Sequence, residues 1–189
     1  MPKIALVLSP GFADWEYAFI AGTGGPFYGM DVEFFAPIPG KLVSQGGLTA
    51  TVSRGTQEIA GWSPDVVAVI GSFGWQHEGA PDISDVLTAQ RARGGSVAGI
   101  CGGTLALARA GLLDKVRHTS NDLAFLTDNA PKYAGASRYA VSPKAITDDR
   151  IITAPGTAPT SFTAAVLEAA GMDAETAQQF RALAAAEHQ

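Results

Sequence analysis

One cysteine stands in the 189-residue chain, Cys101, and its neighbours are those a nucleophile would need. The string Ser96-Val97-Ala98-Gly99-Ile100-Cys101-Gly102-Gly103-Thr104 reads as a short apolar strand that enters a helix within two or three residues. A cysteine at that junction sits on a sharp turn resembling a nucleophile elbow, and small residues at Gly99 and Gly103 let strand and helix close on one another. The first N–H groups of the helix then point at the sulfur, and their partial positive charge is expected to favour thiolate over thiol. The competing reading is a strand-end cysteine that packs as a small hydrophobe.

Two further loops carry matching chemistry. A strand ending at Ile70 is followed by Gly71-Ser72-Phe73-Gly74-Trp75-Gln76-His77-Glu78. The amide of Ser72 together with that of Gly102 can form an oxyanion hole, although glycines after a strand also simply make turns. The first strand is followed by Ser9-Pro10-Gly11-Phe12-Ala13-Asp14-Trp15-Glu16-Tyr17, where two acids open a helix. Helix-dipole stabilisation accounts for Asp14. Glu16 can instead face Cys101. Ionised, it would raise the thiol's pKa; protonated and buried, it would donate a hydrogen bond to the thiolate and lower it.

These loops need a scaffold, and the apolar pattern supplies one. Short β-branched runs at 4–8, 32–36, 65–70, 96–100 and 151–154 suit the buried middle of a parallel sheet. A strand at 145–147 can pair with the last of these across Asp148-Asp149. Helices are expected near 14–22, 83–93, 103–110, 122–129, 158–170 and 174–187, with Asp82 and Asp122 as N-caps and Gly94 and Gly111 as stops. Gly22, Gly24, Gly25 and Pro26 predict a kink or early end in the first helix. Gly46-Gly47, between extended pieces at 41–53, predicts a small β-hairpin insertion. The alternation predicts an α/β fold: a single doubly wound, mainly parallel sheet with helices on both faces, flavodoxin-like, over one domain spanning 1–189.

Composition narrows the function classes. With 47% apolar and 16% charged residues, the chain can bury enough surface to escape disorder. A net charge of −5 builds no basic face, so no nucleic-acid partner is expected. A lone cysteine forms no intrachain disulfide, which suits a reducing, cytoplasmic location. The N-terminal apolar run meets Ser9-Pro10-Gly11 too soon for a signal segment or a membrane span, so no membrane partner is expected either.

Taken together, these features resemble the ThiJ/PfpI superfamily, which is similar in fold to class I glutamine amidotransferases. The resemblance rests on Glu16, Gly71-Ser72, Ile100-Cys101-Gly102-Gly103, Leu112-Leu113-Asp114, Thr119-Ser120-Asn121 and Ile151 to Pro159. It implies Cys101 as nucleophile, Glu16 as its hydrogen-bonding acid, and Gly102, Ser72 and Gly71 as oxyanion donors. It also implies a homodimer; a small-molecule substrate is expected, and no metal or cofactor.

The departures from the pattern bear on the reaction. Protease-like members carry a histidine directly after the cysteine, where this chain has Gly102. Other members carry one after the Thr-Ser pair, where this chain has Asn121, which can orient a substrate or water but cannot act as a base. His118 and His77 are candidates to support the site, and His188 reads as a tail residue. Trp15 and Trp75 can wall a pocket or a dimer seam; Trp62 reads as ordinary packing. Hydrolysis, hydration or aldehyde chemistry on a small molecule leads, with peptidase activity disfavoured. A redox or stress-response sensor through Cys101 oxidation is the alternative. A glutamine amidotransferase is weaker, because Thr153-Ala154-Pro155-Gly156 lacks the late histidine and glutamate, and a non-catalytic binding module closes the set.

Overall fold

The computed structural model describes residues 1–186. In chain order the elements are β1 (Lys3–Val7), α1 (Asp14–Tyr28), β2 (Asp31–Ala36), β3 (Gly40–Val43), β4 (Thr49–Val52), β5 (Arg54–Gly55), α2 (Ile59–Trp62), β6 (Val66–Val69), α3 (Ser84–Ala92), β7 (Ser96–Ile100), α4 (Thr104–Arg109), α5 (Leu123–Asn129), β8 (Ile146–Asp148), β9 (Ile151–Ala154), α6 (Pro159–Ala169) and α7 (Ala174–Ala186). Seven strands form one sheet in the order β5-β2-β1-β6-β7-β9-β8. All neighbours are parallel except β8 and β9.

Both faces of the sheet are covered, as the unbroken apolar runs require. Ile4, Leu6 and Ile100 pack with Ile20, Phe162 and Val166 on one side. Ala5, Val7 and Val97 pack with Leu87, Leu105, Leu107 and Leu126 on the other. The chain leaves β1 toward β2 and later returns to the opposite side of β1 through β6. The crevice beyond the carboxyl ends of β1 and β6 is therefore the switch point at which such folds collect ligands. No described helix is long and apolar enough to cross a membrane.

Two local readings change. The first helix runs on through Gly22 to Tyr28 with Pro26 inside it. Its glycines serve packing: a Cβ on buried Gly24 would lie 3.0 Å from Val32 Cγ2, so the helix rests directly on β2. It ends where Gly29 turns left-handed at φ 63° and donates to the Gly25 carbonyl. The β8–β9 turn is centred on Asp149 and Arg150, both at positive φ, one residue later than expected. The hairpin of β3 and β4 forms where Gly46-Gly47 places it, but β5 and α2 lack a periodic signal long enough to read.

Candidate active site

The elbow at Cys101 is built by close backbone approach. Ile100 leaves β7 in extended geometry, Cys101 takes φ 52°, and Cys101–Gly103 form a 3-10 turn leading into α4. A positive φ at a residue with a Cβ costs about 1–3 kcal/mol and needs surroundings that enforce it. Three glycines do so. A Cβ on Gly99 would lie 2.9 Å from Leu107 Cδ1, one on Gly103 would collide with the Val69 carbonyl, and one on Gly102 would lie 2.6 Å from the Ser72 carbonyl oxygen and 3.1 Å from the Ser72 nitrogen. The last contact brings the loops after β6 and β7 together, setting the Gly102 main chain against that of Ser72.

Glu16 lies on the first turn of α1 and is fully buried. Its Oε2 accepts a 2.7 Å hydrogen bond from the Gly71 amide. That occupies the Gly71 N–H, so Gly71 is no oxyanion donor here; it holds the acid instead. Glu16 Oε1 has no hydrogen-bond partner. One point in space, where Gly156 lacks a Cβ, is 3.0 Å from Cys101 Sγ and 3.2 Å from that oxygen. A side chain at either glycine would wedge the pair apart. Asp14, two residues earlier, faces the hairpin: its Oδ2 accepts from the Gly46 amide at 2.8 Å.

Asn121 completes the surround. Its Nδ2 donates to Cys101 Sγ at 3.3 Å, and its Oδ1 accepts from the Gly156 amide at 3.0 Å. The Gly156 carbonyl accepts from Trp15 Nε1 at 2.9 Å, so Trp15 and Asn121 fix both polar groups of the glycine nearest the sulfur. Gly156 and the Trp15 tether were missed in the sequence because each depends on a partner more than thirty residues away.

The remaining candidates lie elsewhere. Trp75 is a core residue whose Nε1 donates to the Ile70 carbonyl at 2.9 Å, so it walls no pocket. His77 is exposed in a cleft of about 510 Å³ with Gln76, Glu78, Asp82, Arg109 and Lys132, and none of Cys101's neighbours lines it. His118 is fully buried, with Nδ1 on the Val116 carbonyl at 2.8 Å and Nε2 on the Tyr133 hydroxyl at 2.6 Å. Neither ring nitrogen meets the sulfur. His188 falls outside the described residues. Among those residues, no group of three His, Cys, Asp or Glu is arranged to hold a metal ion.

The electrostatics correct the expectation of a depressed thiol. Burial pushes Glu16 from 4.5 up to about 7, against the lowering effects of the Gly71 amide and the Cys101 thiol. Burial, and then the charge of Glu16, push Cys101 from 9.0 up to about 11, against the Asn121 and Gly102 hydrogen bonds to the sulfur. The two acids share one desolvated space and cannot both ionise cheaply. From about 7 to about 11 the pair therefore holds a single proton, and the titration belongs to the pair rather than to either residue. The thiolate exists in that window when the proton is on Glu16, and the vacant Oε1 is where it would sit.

Comparison with known proteins agrees with this architecture. The model of the DJ-1/PfpI family matches residues 2–169. The DJ-1 superfamily protein Atu0886 of Agrobacterium tumefaciens is 32% identical, superposes with a TM-score of 0.92, and is covered in full by the full chain. A thiJ/pfpI family protein of Bacillus anthracis is 27% identical with a TM-score of 0.77, over 91% of this chain and 84% of that one. The uncharacterized protease YoaZ of Bacillus subtilis is 28% identical over 88% of this chain and 82% of its own length.

Proposed function

The chain belongs to the DJ-1/PfpI family, and from that premise we propose that it is a cysteine-nucleophile enzyme acting on a small electrophilic substrate by hydrolysis, hydration or aldehyde chemistry. The observation that carries this reading is the vacant, buried Oε1 of Glu16 flanking the same point as Cys101 Sγ. In the reaction, Sγ forms a bond to the electrophilic carbon while the thiol proton passes to Oε1. The electron pair displaced onto the substrate's oxygen or nitrogen is met by the amides of Ser72 and Gly102, the latter released from the sulfur as its charge passes to the substrate. Glu16 then returns the proton to the displaced atom or leaving group. In hydrolysis and hydration water adds to the sulfur-bound carbon, and the C–S bond breaks with its electron pair returning to Sγ, which frees the product. Gly156, without a side chain, leaves the approach to the sulfur open.

Peptide cleavage fits less well, because a peptidase protonates a poor amine leaving group and no histidine nitrogen touches Cys101 among the described residues. The test is turnover of a panel of small aldehydes, nitriles and activated esters by the native protein and by Cys101→Ala. Loss of all turnover in the variant is expected; retained turnover would remove Cys101 from the chemistry. A homodimer is part of the same proposal, and sedimentation at micromolar concentration checks it.

Redox sensing is the second reading, favoured by the same vacant oxygen. A sulfinate on Cys101 would accept from a protonated Glu16 and from Asn121 Nδ2. Dilute peroxide followed by mass spectrometry of the Cys101 peptide separates the two readings. A thiol that resists peroxide while reacting quickly with electrophiles excludes the sensor.

A further inference from the structure

The segment from His118 to Asn121 is anchored residue by residue to different elements. His118 is clamped through its ring, as described above, and through its main chain: its amide donates to the Arg138 carbonyl at 3.3 Å, and its carbonyl accepts from the Ala140 amide at 2.8 Å. Its ring stands edge-on to Tyr133, 5.6 Å away, and to Tyr139, 5.8 Å away. The Thr119 amide donates to Thr153 Oγ1 on β9 at 2.9 Å. Ser120 Oγ lies 2.7 Å from Thr104 Oγ1, whose own proton goes to the Cys101 carbonyl at 2.6 Å, so Ser120 donates in that pair. The Tyr139 hydroxyl donates to the Ser120 carbonyl at 3.3 Å.

Asn121 hangs at the end of this segment. It is exposed, and an exposed side chain aims at one atom reproducibly only when its backbone is held. Two threads reach Cys101 from here: Asn121 to the sulfur and Ser120, through Thr104, to the carbonyl of the strained residue. The hydrogen-bond roles follow from the partners. The Val116 carbonyl can only accept, so Nδ1 carries the proton; Nε2 then accepts from the Tyr133 hydroxyl.

We propose that His118 is a positioning residue for Cys101: clamped by Val116 and Tyr133, it fixes the backbone from which Asn121 donates to the sulfur. This rests on the proposed nucleophilic role of Cys101, and it assigns the one buried histidine among the described residues to orienting that nucleophile. His118 moves no proton itself. Its influence on the sulfur passes through Asn121 and so vanishes from the alkylation rate when Asn121 is removed; the Ser120–Thr104 thread ends on the Cys101 carbonyl and holds the elbow, not the sulfur.

The test is a double-mutant cycle on the alkylation rate of Cys101 by iodoacetamide at pH 8, using Tyr133→Phe and Asn121→Ala. Tyr133→Phe deletes one hydroxyl and leaves the ring in place; a thermal melt of each variant verifies folding. Tyr133→Phe should slow alkylation about threefold and Asn121→Ala about five- to tenfold, with the double variant no slower than Asn121→Ala alone. An equal slowing by Tyr133→Phe in both backgrounds, or none in either, overturns the proposal. So does an Asn121→Ala variant that alkylates at the native rate. Absence of substrate turnover in the native protein would count against the enzyme reading alone, because alkylation is measured without any substrate.

Discussion

Glu16 and His118 are both fully buried and both titratable, and they sit in opposite hydrogen-bond economies. His118 has a partner on each ring nitrogen. Glu16 has one satisfied oxygen and one vacant oxygen facing the sulfur. A satisfied group is held where it is and resists a change of protonation. A half-satisfied acid in a desolvated space is raised toward neutrality and can take up a proton from its neighbour at little cost. The contrast separates the residue that would do chemistry from the one that supports it, although both lay within reach of the site from sequence alone.

Breaking the pair at its common target gives the largest effect: Cys101→Ala should lower turnover to background. Glu16→Gln should come next, lowering turnover by about 10²-fold, the usual worth of a positioned acid or base. Gly156→Ala should slow both turnover and alkylation on the order of tenfold, since its Cβ would stand 3.0 Å from Sγ. Native circular dichroism should persist in each variant.

Stability sharpens the same contrast, because the two buried groups should respond with opposite sign. Below pH 4.5 Glu16 is protonated in both the folded and unfolded chain. As pH rises to about 7 the unfolded chain releases that proton and the folded protein keeps it, so stability falls through this window. The loss is about 3 kcal/mol by the shift from 4.5 to about 7 at ~1.4 kcal/mol per unit. Glu16→Gln should flatten this slope in urea melts and be the more stable protein at pH 8. His118→Leu, which strands the Val116 carbonyl and the Tyr133 hydroxyl, should instead lose about 1–3 kcal/mol. A Glu16→Gln variant with the native pH slope would show that the acid is not held neutral by burial.

The central sheet and the elbow were legible because both are local. Unbroken β-branched runs and a Gly-x-Cys-Gly-Gly junction state their geometry in consecutive residues. Asn121 was legible only as a position in a motif; its contact with the sulfur depends on where β9 delivers Gly156. Gly71 reads as a turn residue and an amide donor, and nothing near it in sequence says that the amide is taken by Glu16. The thiol's direction of titration was misread for a related reason. The sequence shows the short helix that would lower it, while the desolvation and the ionised carboxylate that raise it arise only in the packed site.

The shared proton is the core of the account, and the pH dependence of Cys101 alkylation measures it most directly. In the native protein the rate should climb through an inflection near 7, where the pair loses its first proton, and then level off. In Glu16→Gln that inflection should be gone, leaving the titration of the thiol alone. A native profile with a single inflection near the ordinary thiol value of 9.0, or an inflection near 7 that survives Glu16→Gln, would contradict it.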